Sequence, residues 1–280
     1  MKNQIKNAEG FPILGWLVNW TTVRGFDIKR DTLTKLLVKV GIEEKIAVEV
    51  LPKNAAIRAV REHSKGKDTL HRKVADEQAS MALVIAQVST NDVFDATFNQ
   101  TTKAVFDKTS RSLKVDGGSK QIIEESFENR KKVYASDQFR SIVLRYIKRE
   151  CLGITYLETG NVYFVPVSKK EELRRLQNLF VEIGADVKLI LKEEIDTKSV
   201  RSVMWDVTVG ELKNNLKGLQ EDFKGLDDEI SERSLDSRLN KYKDLKTRAE
   251  MFESVLQGEA EDLKLELDKL TKLISKKVLA

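Results

Sequence analysis

The residues whose type and spacing best suit chemistry in this chain are basic. Between Asp137 and Ile183 stand Arg140, Arg145, Lys148, Arg149, Lys169, Lys170, Arg174 and Arg175, on two helical stretches separated by a hairpin. Clustered guanidinium and ammonium groups neutralise phosphates, and each contact adds salt-dependent affinity for nucleic acid. Helix 137–150, hairpin 154–167 and helix 169–183 together have the outline of part of a winged-helix module. The hairpin tip, Glu158-Thr159-Gly160-Asn161, is acidic or neutral where a DNA-contacting wing is usually basic, and Glu171 and Glu172 dilute the second helix. A small α/β unit with charged solvent faces accounts for the same residues, so both readings stand.

Catalytic patterns are missing. The chain has neither G-x-x-x-x-G-K-[ST] nor G-x-G-x-x-G, the usual phosphate cradles, and no G-x-S-x-G elbow. His63 and His71 straddle Gly66 among lysines and arginines, a setting that suits a solvated loop better than a metal centre. Cys151, the sole cysteine, excludes an internal disulfide and a thiolate cage, and its place at the end of an apolar helix suits packing. Glu43/Glu44, Glu124/Glu125 and Glu193/Glu194 are ordinary surface pairs. No cofactor, metal or enzymatic activity is expected.

Composition sets the frame. A chain of 280 residues, 41% hydrophobic and 33% charged with 3 prolines, is folded and rich in exposed helix. Residues 199–280 hold 15 Lys/Arg against 17 Asp/Glu, a net of −2, so the first 198 residues carry +7 of the formal +5. A mildly basic body is compatible with nucleic-acid contact, and a lysine-rich coding bias would give it too. The longest early apolar run, Phe11 to Val18, is far short of the roughly 20 residues a membrane-spanning helix needs. A soluble protein of a reducing, cytoplasmic setting, without membrane contact, is expected.

Periodicity then places the elements. Phe11 to Val23 reads as a strand closed by Arg24-Gly25. Leu33, Leu36, Leu37 and Val40 mark a helix after Asp31, and a short helix over 42–50 and another capped by Asn54 follow. Between Lys73 and Val115 the period falls to two, which predicts an antiparallel meander. Its strand at Met81 to Ala86 is apolar at every position, as expected of burial on both faces. Ile122, Ile123 and Phe127 mark one later helix, and Phe139, Ile142, Val143, Tyr146 and Ile147 another. After the hairpin, Ser168 to Glu171 matches a capping box before a helix ending at Gly184, and Val187 to Leu191 is a further strand.

The last third reads as a coiled-coil-like helical arm. Leu212, Leu216, Leu219, Phe223, Leu226 and Ile230 are spaced 4, 3, 4, 3, 4, a heptad seam that follows a capping-box match at Thr208 to Glu211. The seam breaks at Ser231 to Ser234. A second register runs through Leu235, Leu239, Tyr242, Lys246, Ala249, Glu253, Leu256, Ala260, Leu263, Leu267, Leu270 and Ile274. A 3.5-residue period keeps one apolar stripe facing a partner. The register change predicts a helical hairpin whose longer second arm overhangs and seeks a second copy or a helical partner; a hairpin folded back on its own body is the other possibility.

Gly160-Asn161-Val162-Tyr163-Phe164-Val165-Pro166, Leu14-Gly15-Trp16-Leu17-Val18 and Tyr242-Lys243-Asp244-Leu245 resemble a pattern of uncharacterised phage and bacterial proteins. Gly160-Asn161 stands where that pattern has two glycines, which preserves the turn. The resemblance implies a phage or mobile-element context and no known activity. Taken together, the sequence predicts an α+β protein with an N-terminal domain over 1–117, a helix-hairpin-helix-strand unit over 118–198 and a helical arm over 199–280. The expected role is non-enzymatic binding or assembly through the arm, with nucleic-acid binding by 137–183 as the alternative.

Overall fold

The computed structural model describes residues 5–47, 49–64, 68–90, 96–156, 161–224, 232–256 and 261–278. The fold is α+β, and its contacts group into two units. One comprises 1–23, 40–42 and 143–280; the other comprises 24–39 and 43–142. These limits differ from boundaries at 117 and 198. The reason is pairing across the chain: the N-terminal strand joins a sheet whose other strands follow residue 150.

The unit over 24–39 and 43–142 is the meander with its helices. It begins with β2 (Asp27–Lys29) and α1 (Arg30–Lys39), and then α2 (Pro52–Glu62). Pro52 stands at the first helical position, where its missing N–H costs nothing. Leu51 therefore precedes the helix and Asn54 lies inside it, while a 3-10 turn, Glu44–Ile46, replaces the helix expected over 42–50. The sheet is β3 (Thr69–Asp76), β4 (Ser80–Thr90), β5 (Ala96–Asp107) and β6 (Ser112–Gly117), antiparallel in chain order. Next come α3 (Lys120–Arg130), β7 (Val133–Ala135), which pairs with β2, and the first half of α4 (Ser136–Arg149).

One sheet face is covered. Met81, Leu83, Ile85, Ala104, Phe106, Leu113 and Val115 are buried, as are Ala55, Ala56, Ala59 and Val60 of α2 and Ile123 and Phe127 of α3. The small alanine face of α2 permits close approach to the strands, and Phe106 meets Phe127 edge-on at 6.2 Å. Ile122, expected in the α3 stripe, is 57% exposed. Arg130 ties the unit together by pairing with Asp27 and Glu62, each at 2.7 Å. On the uncovered face Ala82 and Val84 are half-buried, so β4 is not enclosed on both sides.

The other unit is built on a second antiparallel sheet. Its strands are β1 (Ile13–Thr22), β8 (Ile154–Thr155), β9 (Tyr163–Pro166) and β10 (Val187–Ile195), in the order β10-β1-β9-β8. Gly15 lets β1 and β9 close up: a β-carbon there would collide with the Val165 carbonyl oxygen and lie 2.7 Å from the Phe164 ring. α5 (Lys170–Ile183) buries Leu173, Leu176, Leu179 and Phe180 and ends at Gly184, whose φ of +92° suits glycine. No side chain caps its start; a 3-10 turn, Val167–Lys169, stands where a capping box was expected.

Among the described residues the arm holds three helices where a hairpin is expected: α6 (Lys198–Lys224), α7 (Glu232–Leu256) and α8 (Glu261–Val278). α6 begins ten residues before the expected Thr208 cap, and Thr208 sits mid-helix, buried and donating to the Met204 carbonyl at 2.6 Å. Both α7 and α8 pack against α6. A second cluster joins the bundle to the sheet: Leu14, Ile154 and Phe164 pack with Met204 of α6 and Phe252 and Leu256 of α7.

Candidate functional site

The expected seam is consumed inside the chain. Leu212, Leu216, Leu219, Phe223, Leu263, Leu270 and Ile274 are buried in one cluster with Leu245 and Ala249, and Leu267 packs against it half-buried. Leu226 and Ile230 lie outside the described residues. Residues already buried against their own helices offer no apolar stripe to a second chain, which corrects their assignment as a partner-binding surface. Among the described residues no helix is long and apolar enough to cross a membrane.

The eight basic residues do not form the expected module. β9 is an interior strand, paired to β1 on one side and β8 on the other, so it is no free wing; the tip, 157–160, lies outside the described residues. Lys169 pairs with Glu172 of α5 at 3.0 Å, and Lys148 lies 3.8 Å from Glu211. Arg145 is half-buried; Lys170, Arg174 and Arg175 are exposed on α5, Arg149 is exposed at the end of α4, and Arg140 is exposed in the other unit.

Lys148 and Arg149 instead line a cleft of about 480 Å³ with Asn214, Asp222, Lys241, Asp244 and Arg248. Behind it lies a buried polar network. The Arg248 guanidinium donates to Glu211 Oε1 at 2.9 Å and to the Gly153 carbonyl at 3.1 Å, and the Thr155 amide donates to Glu211 Oε2. Burial pushes the Glu211 carboxyl up, but Arg248, Thr155 and Lys148 outweigh it and hold the group below the ordinary glutamate range. With both side chains below 15% exposed, this pair is structural cement for the bundle. Cys151 is wholly buried, and desolvation pushes its thiol far up, which disfavours the thiolate. His71 meets Ser64 Oγ at 3.2 Å and accepts from Arg61 at 3.4 Å.

Exposed, unpaired cations gather on the open face of the meander. Antiparallel partners share a face, so Arg72, Val84, Lys103 and Asp116 form one row across all four strands. On one side of it Ala75, Ala82, Val105 and Lys114 form the next row, with Asp107 beyond; on the other side, past Leu70, Ala86 and Gln100, Val88 pairs with Phe98. Arg72, Lys103 and Lys114 are exposed, Phe98 is 54% exposed, and the Arg72 guanidinium lies 5.7 Å from the Phe98 ring centre. Among the described residues none of these three cations is in an ion pair. At the sheet's end Lys53, Lys73 and Lys108 converge on Asp76 at 2.8–2.9 Å and hold its carboxyl far below the ordinary range. Sequence reading missed this face. The signal was there, in cations alternating with inward apolar residues at Lys103-Ala104 and Leu113-Lys114.

The chain belongs to the family of unknown function DUF6744, which it matches over residues 13–279. No curated protein and no solved structure matches it.

Proposed function

We propose that this DUF6744 member is a non-enzymatic nucleic-acid-binding protein that works through its meander unit. One observation carries the reading. The unit over 24–39 and 43–142 holds 22 Lys/Arg and 17 Asp/Glu, so 22 − 17 = +5, while the rest of the chain holds 27 of each. The entire formal charge therefore belongs to one unit, where it attracts polyanions. A general lysine bias would spread the excess over both. A phage or mobile-element setting and a cytoplasmic location, implied by sequence resemblance and by the lone cysteine, are part of the same proposal.

The test is binding of labelled oligonucleotides to the full chain across a salt series. The expected result is an affinity that falls linearly in log–log form, with a slope that counts the phosphates neutralised. No binding at about 50 mM salt, where such contacts are strong, would remove the reading. Assembly through the arm is a second reading, to which exposed Leu265 on α8 and Val203 on α6 lend a surface. Light scattering on the full chain tests it, and a monomer at all concentrations with no co-purifying partner rules it out.

A further inference from the structure

We propose that the open face of the β3-β4-β5-β6 sheet holds a single-stranded nucleic acid, with unpaired bases stacked at Arg72–Phe98 and the backbone running past Lys103 and Lys114. This rests on the nucleic-acid reading above and goes further by naming the form of the ligand and its seat. Three features of the face select a single strand.

The first is the exposed aromatic. Phe98 is more than half exposed, held at its edge of the sheet opposite Val88. Arg72 lies over its ring, which makes a layered platform. Bases stack on aromatic rings and on guanidinium planes alike, but only bases whose faces are free. A duplex hides those faces.

The second is the floor. Half-buried Ala82, Val84 and Val105 and buried Ala86 line the face with small aliphatic groups. Such a floor accepts the apolar faces of bases and sugars. It offers no projecting helix or ribbon to enter a major groove, which is how duplex sequence is read.

The third is charge. Arg72, Lys103 and Lys114 stand against Asp116 and Asp107, which is +1 on this face. Lys103 and Lys114 sit diagonally on adjacent strands, roughly 7–8 Å apart at their α-carbons. From the Phe98 row to the Lys114 row is about three residue pairs along the strands, or roughly 20 Å. That is a seat for a few nucleotides.

The experiment is fluorescence anisotropy of the full chain with a labelled oligo-dT, an RNA of the same length and a duplex, each across salt. Variants are Phe98→Ala and the pair Lys103→Glu with Lys114→Glu; Lys35→Glu with Lys120→Glu, two exposed helix cations, gives the same charge change off the face. All five side chains are exposed, so folding should survive, which circular dichroism checks. The single strands should bind tightest. Phe98→Ala should weaken them by at least about fivefold, the loss of one stacked base. The Lys103/Lys114 pair should weaken them more than the helix pair does, and should flatten the salt slope by about two. Duplex bound as tightly as single strand overturns this inference and leaves nucleic-acid binding standing. Single strands bound but indifferent to Phe98→Ala and to the face pair also overturn it, since the seat is then elsewhere. If no oligonucleotide binds, or if polyglutamate binds equally well, the underlying reading has failed as well.

Discussion

Replacing Arg248 by methionine should destabilise the β1-β8-β9-β10 unit by about 3 kcal/mol, the lower end of the cost of breaking a buried ion pair. The lower end applies because Glu211, once stripped of Arg248, keeps Lys148 at 3.8 Å and the Thr155 amide. Glu211→Leu should cost a similar amount, since it strands a guanidinium that is 8% exposed with the Gly153 carbonyl as its remaining partner. The double variant removes both charges and orphans only the Thr155 amide and the Gly153 carbonyl, at about 1 kcal/mol each. It should therefore fall well short of the sum of the singles, with a coupling of about 4 kcal/mol. The assay is urea unfolding followed by tryptophan fluorescence. All 3 tryptophans, Trp16, Trp20 and Trp205, lie in this unit, so the signal ignores the meander. A pH series adds a second reading. Glu211 is more acidic folded than unfolded, so the unfolded state takes up the proton first, and the stabilisation present above the ordinary glutamate range is lost as pH falls. Wild type should lose its advantage over Glu211→Leu below about pH 4. If the two single variants add to within about 0.5 kcal/mol, the groups do not act as a pair and the reasoning is refuted.

Further expectations concern packing. Gly15→Ala should cost about 2 kcal/mol or more, because the obstacle is the backbone of β9 and cannot rotate away; an unchanged unfolding midpoint would contradict the β1–β9 approach. Phe223→Ala should cost about 3–5 kcal/mol independently of protein concentration, since the ring is wholly buried in its own bundle. A midpoint that moves over a hundredfold dilution would put the seam at an interface between chains. The Cys151 thiol should ignore a disulfide reagent in the native protein and react once urea opens the unit; rapid native labelling would contradict its burial.

Local signals in this sequence were readable where one element decided its own fate. β1, the meander, the α4 stripe from Phe139 to Ile147 and the Gly184 stop follow from alternation, periodicity and glycine chemistry, and they stand as expected. The second half of the arm shows where such reading breaks. Starting from Leu235 with a step of four places Lys246 and Glu253 at the seam. The buried residues are Leu245, Ala249, Phe252 and Leu256, with Arg248 beside them. Steps of 4 and 3 from Arg238 through Tyr242 reach all four, so a polar first residue hid a regular heptad. Arg238 and Arg248 are tolerated there because helices shield their stems while their head groups find oxygen partners at Ser234, Glu211 and Gly153. Capping boxes misled for a related reason. Thr208 to Glu211 has the right spacing, but Thr208 bonds backward within a longer helix and Glu211 is drawn to Arg248.

Charge was the property least legible from residue order, because it depends on which segments fold together. Cut at residue 198, the chain looks like a basic body, +7, with a near-neutral arm, −2. That contrast is weak and invites a search for the basic site near residues 137–183, where cations are dense in sequence. Contacts regroup the chain. The strands β1, β8, β9 and β10 and their helices join the arm, their charges cancel, and all of the excess falls on the meander unit. Within that unit the helices occupy one sheet face, so the unpaired cations on β3, β5 and β6 are displayed together on the other. Density along the chain is therefore a poor guide to a polyanion site in this fold. A site of this kind needs exposed cations on one face that, among the described residues, are not drawn into ion pairs. By that criterion Lys148 and Lys169, paired with Glu211 and Glu172, are weaker candidates than Lys103 and Lys114, whose one sign in the sequence is their alternation with inward apolar residues.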